Sequence, residues 1–95
     1  MAKAKLITEF ILTGHAKEEM ARRQINTQDV AKVFASPEQI EVVRQGRSVY
    51  QSRIETGKPP KRYLLRVFVD TDRQPAEIVT VYRTSKIQKY WRADK

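Results

Sequence analysis

The chain has 95 residues, room for one domain with a modest core. Its 40% hydrophobic content argues for a folded chain despite 32% charged residues. It has no cysteine and a single histidine, which excludes disulfides and thiolate metal sites and leaves no ligand set for zinc. Nineteen Lys and Arg against eleven Asp and Glu give a formal charge of +8, a field that attracts polyanions, either nucleic acid or an acidic protein.

No apolar run approaches the length of a membrane span, so no membrane partner is expected. Residues 1–7 are basic but lack the apolar core and cleavage site of a secretory signal, so cytoplasmic residence is the default. No repeat, low-complexity segment or linker divides the chain, and residues 1–95 read as a single domain with basic N- and C-terminal tails.

The first element is a helix beginning at Thr13 or Gly14 and running into the early twenties, with Ala16, Met20 and Ile25 facing inward. Asn26-Thr27-Gln28-Asp29 starts a second helix, since Asn and Thr cap exposed backbone donors and Asp29 suits the first turn. Val30, Val33 and Phe34 form its apolar stripe, and Ser36-Pro37 stops it. Strand formers then take over. Residues 39–43 and 48–54 form a hairpin about Arg44-Gln45-Gly46-Arg47, and residues 62–69 and 77–82 follow, separated by the polar turn 70–75. The expected fold is α+β: two N-terminal helices on one face of a four-stranded antiparallel sheet, ααββββ.

Strand alternation assigns faces. Val79 and Val81, with Leu65, Val67 and Val69, are the aliphatic sets expected beneath the helices. Ile78, Thr80 and Tyr82 fall on the other side of the last strand, and Leu64, Arg66 and Phe68 on the other side of its neighbour. Thr80, Tyr82 and Arg66 would then meet on a bare sheet face that can hold RNA or a partner.

Two stretches carry chemistry. His15 opens the basic helix, and imidazole is the side chain whose ordinary pKa lies nearest neutrality. Near the other end, Thr80-Val81-Tyr82-Arg83-Thr84-Ser85-Lys86 gathers hydroxyls, a phenol and two cations. An acid–base group facing a phosphodiester explains this pattern, and so does a helix-start histidine that only packs or caps.

The order of residues resembles a family of short bacterial proteins known as a domain of unknown function. The likeness runs from about residue 13 to 91: His15-Ala16, Met20, Arg23-Gln24-Ile25, Asp29-Val30, Ser36-Pro37-Glu38, Gly46-Arg47-Ser48-Val49-Tyr50, Leu65-Arg66-Val67 and residues 80–86, closing on Ile87-Gln88-Lys89-Tyr90-Trp91. Glu19 departs from the arginine of many members, and Gln24 from the usual glycine. That family is distantly similar to the RelE-, barnase- and EndoU-like small ribonucleases, a resemblance that implies metal-independent RNA cleavage, often by a toxin restrained by an antitoxin.

On that reading His15, Thr80, Tyr82 and Lys86 are the catalytic candidates. His15 serves as base or acid and Lys86 as a phosphate ligand, while Thr80 and Tyr82 position the phosphate or base. Arg23, Arg66 and Arg83 are candidate phosphate ligands, and Tyr50 a stacking surface for a base of single-stranded RNA. No metal and no cofactor is called for. Two other classes fit the same residues: a nucleic-acid-binding module without catalysis, and an interaction domain that docks an acidic antitoxin or immunity partner.

Overall fold

The computed structural model describes residues 9–92. Both expected helices form where capping is strongest. α1 (Gly14–Arg23) begins after Thr13, whose Oγ1 accepts from the Ala16 N–H at 3.2 Å. α2 (Thr27–Ala35) begins after Asn26, whose Oδ1 accepts from the Asp29 N–H at 2.8 Å. Gln24 ends α1 in the left-handed region, φ 58° and ψ 44°, and its N–H turns back to the carbonyls of Met20 and Ala21. Glycine adopts that conformation without a Cβ penalty. The Gln24→Gly variant is therefore expected to be more stable by about 0.5–1 kcal/mol, read as a higher denaturant midpoint at unchanged slope.

Four long strands follow: β2 (Gln39–Arg44), β3 (Arg47–Thr56), β4 (Lys61–Asp70) and β5 (Ala76–Thr84), each antiparallel to the next. A fifth, β1 (Phe10–Leu12), lies parallel to β5, so the sheet order is β1-β5-β4-β3-β2. A short helix, α3 (Ile87–Tyr90), follows β5. The α+β class holds, but the expected ααββββ is corrected to three helices and a five-stranded mixed sheet among the described residues. The expected basic N-terminal tail, residues 1–7, lies outside the described residues, as do residues 93–95 of the C-terminal one.

The core lies between the helices and one sheet face. Ala16, Met20, Ile25, Val30, Val33 and Phe34 meet Leu65, Val67, Val69, Ile78 and Val81 there. Phe34 is its aromatic hub, edge-on to Phe10 at 5.2 Å and to Tyr50 at 5.1 Å between centroids. One face assignment is corrected. Phe68 pairs with Thr80 but Val69 pairs with Ile78, so Val79 is an extra residue in β5. This bulge reverses the alternation and puts Ile78, not Val79, in the core beside Val81. Thr80 and Tyr82 remain opposite the helices, with Phe68 stacked on Tyr82 at 6.2 Å.

At the far end of the β2–β3 hairpin, Gly46 takes φ +85°, and a Cβ there would stand 2.7 Å from Asp72 Oδ2. Next to it, Arg47 donates two hydrogen bonds to Asp70, at 2.6 and 3.2 Å. Those bonds hold the Asp70 carboxyl below its ordinary 3.8, with some opposition from burial. Below the ordinary value the unfolded chain binds the proton first. The pair's contribution to stability is thus complete above about pH 4 and is lost as pH falls through the depressed folded value. Acid titration of the unfolding midpoint is expected to show a limb below about pH 4 that flattens in Asp70→Asn.

Candidate functional site

The sheet face opposite the helices carries a polar row across four strands. Register aligns Gln39 with Gln51, Gln51 with Arg66, and Arg66 with Tyr82. Their side chains are joined as well. Gln51 donates from Nε2 to Gln39 Oε1 at 2.8 Å and to the Tyr90 carbonyl at 3.2 Å. Its Oε1 accepts from Arg66 Nε at 2.9 Å, and Arg66 Nη1 donates to Tyr82 Oη at 2.8 Å. Gln51 is 1% exposed and Arg66 8%, and among the described residues every buried side-chain nitrogen and oxygen has a partner. The row is rigid because its members satisfy one another.

Arg66 lies among three rings: its guanidinium carbon is 4.4 Å from the Tyr90 centroid, 5.3 Å from Phe68 and 5.8 Å from Tyr82. Among the described residues no carboxylate pairs with it, whereas Arg47, Arg53, Arg62, Arg73 and Arg92 each have one. A nearly buried cation with neutral partners is costly alone and favours an incoming anion. Tyr90 completes the cluster. Its phenol is held below the ordinary tyrosine range, first by the hydrogen bond with Tyr82, then by the positive charges of Lys89 and Arg66, with burial opposing.

Tyr90 reaches this face because the end of the chain is tied across it. Gln39 pairs with the backbone of Arg92 through both amide atoms, donating at 2.8 Å and accepting at 3.1 Å. The Trp91 ring lies under Arg53 at 4.3 Å, and Arg92 pairs with Glu41. Residues 87–92 are therefore a strap across this face. Sequence reasoning missed Gln51, Phe68 and Tyr90; the signal available was the aromatic pair Tyr90-Trp91 in an otherwise polar ending.

His15 sits on another flank. It is exposed, and its Nε2 lies 3.3 Å from Glu19 Oε2. Glu19 Oε1 accepts from the Val81 N–H at 3.1 Å, on the edge of β5 beyond its pairing with β1. Thr80 and Tyr82 flank that amide, so His15 and the Arg66 cluster approach one stretch of β5, from its edge and its face. Glu19 was not among the expected site residues.

The remaining expected residues are dispersed. Tyr50 is 2% exposed and part of the helix-side core, where burial raises its phenol, so it presents no ring to a base. Its alternation with Val49 and Gln51 put it inward. Arg83 pairs in register with Leu65, on the helix side, and lies over Tyr63 at 5.3 Å. Arg23 is exposed in the last turn of α1, away from the Arg66 face. Lys86 is exposed just before α3, next to the cluster's strap. No three His, Cys, Asp or Glu side chains gather as metal ligands among the described residues, and none of their helices is long and apolar enough to cross a membrane.

Fold and site together define a small basic α+β protein whose sheet face holds a nearly buried arginine among three aromatic rings. Residues 12–83 match the family described as a domain of unknown function, DUF4258, and the chain belongs to it. No curated protein and no solved structure matches the chain.

Proposed function

We propose that the protein is a small toxin-like ribonuclease that cleaves single-stranded RNA without a metal ion, its natural restraint being an acidic antitoxin. The observation that carries this reading is Arg66, fixed among Phe68, Tyr82 and Tyr90 with no carboxylate partner among the described residues. A phosphodiester supplies the missing negative charge, and its bases supply faces for the aromatic rings. His15 takes the proton of the ribose 2′-hydroxyl as the 2′-oxygen bonds to phosphorus. The bond to the 5′-oxygen breaks, and that oxygen takes the proton of the acidified Tyr90 phenol. A 2′,3′-cyclic phosphate and a 5′-hydroxyl result, while solvent returns the protons. Thr80, Tyr82 and Lys86 position the phosphate.

The test is incubation of the protein with varied single-stranded RNAs in excess EDTA, beside 2′-deoxy analogues and His15→Ala. Cleavage of RNA alone, lost in the variant, is the expected result. An inert wild type, or a fully active His15→Ala, overturns the reading. A second reading, RNA binding without cleavage, is favoured by one observation: no hydrogen bond or ion pair among the described residues joins His15 to the Arg66 cluster. It predicts affinity that falls steeply with salt, with no turnover.

A further inference from the structure

We propose that Glu19 is a positioning residue that sets the tautomer of His15, holding the proton on Nε2 and leaving Nδ1 as the ring's lone pair. The inference rests on the ribonuclease reading for its function, but not for its geometry. Glu19 Oε1 accepts a hydrogen bond from the Val81 amide at 3.1 Å, and its Oε2 lies 3.3 Å from His15 Nε2, within ion-pair distance. Its side chain is 13% exposed against 63% for His15, so the carboxylate is the fixed partner and the imidazole the one being held.

The chemistry follows from the donor inventory. An ionised carboxylate only accepts hydrogen bonds, and a neutral imidazole carries one N–H. The carboxylate therefore favours the tautomer with the proton on the nitrogen that faces it. Nδ1, which no hydrogen bond or ion pair among the described residues engages, keeps its lone pair and can take the 2′-hydroxyl proton. Once it has done so, the imidazolium bonds to the same carboxylate, without rearrangement of the anchor. The anchor is the sheet itself, because the Val81 amide belongs to the strand that carries Thr80 and Tyr82. Glu19 thus ties the base to the strand that positions the phosphate.

Glu19→Gln separates the two oxygens' tasks. The amide oxygen still accepts from Val81, while the amide NH₂ now donates toward His15 and favours a lone pair on Nε2, with the proton on Nδ1. His15 is the only histidine, so long-range ¹H–¹⁵N spectra of the uniformly labelled protein report its tautomer without assignment ambiguity. With the imidazole neutral, the wild type is expected to show the Nε2–H pattern, and Glu19→Gln a shift toward Nδ1–H. RNA cleavage in the variant is expected to fall about 10²-fold, the low end of a general base's contribution. A wild type in the Nδ1–H form overturns the proposal, as does a folded Glu19→Gln with the wild-type tautomer. If the tautomer shifts as expected while the wild type cleaves no RNA, the positioning role is supported and the ribonuclease reading alone fails.

Discussion

Arg66→Gln is expected to reduce RNA cleavage by about 10²–10³-fold, the loss typical of removing one preorganised donor from a developing negative charge. Glutamine has no positive charge and is too short to span Gln51 and Tyr82 as the guanidinium does, at 2.9 and 2.8 Å. RNA affinity is expected to fall as well, and the slope of log affinity against log salt to flatten by about 0.7, one phosphate's worth on a single strand. Arg66→Lys separates charge from geometry. It should restore the salt slope but not the rate, because an ammonium cannot reproduce the planar fork. Filter binding and single-turnover cleavage over a salt series provide both numbers. Unchanged affinity and rate in folded Arg66→Gln would remove the anion site from consideration.

The largest expected effect on stability belongs to Phe34→Ala, at about 3–5 kcal/mol. Phe34 is 1% exposed and bridges Phe10 of β1 to Tyr50 of β3, so its removal leaves a cavity where helices and sheet meet. Native domains have only about 5–15 kcal/mol in hand, so the loss should lower the thermal midpoint by about 12 °C or more. Calorimetry measures it. A shift of only a few degrees would mean that the aromatic trio contributes little.

Both helices and the four antiparallel strands were legible because caps, breakers and hydrophobic period agreed: Asn26 and Pro37 bracket α2, and Gly46 turns the hairpin. The face of Arg66, Thr80 and Tyr82 was also legible, since alternation holds on either side of the bulge. Its breakdown at Val79 was not, because no glycine or proline marks the extra residue. β1 escaped notice because three residues are too few to show a period. Tyr50 was misplaced because an aromatic in a strand suits either face until its neighbours' sides are known. Glu19 could not be found by pattern, since its partner amide at Val81 is 62 residues away and belongs to the backbone.

The extra residue at Val79 makes β5 two half-strands of opposite phase spliced end to end. The first half points Ile78 toward the helices and pairs with β1; the second points Val81 the same way and Thr80 and Tyr82 outward. Removing Val79 would bring the two halves into step, with Ile78 and Val81 still toward the helices and Thr80 and Tyr82 still outward. A single extra residue thus shifts the count along the strand without exchanging the faces of the sheet, and one continuous segment keeps its aliphatic side on the scaffold throughout.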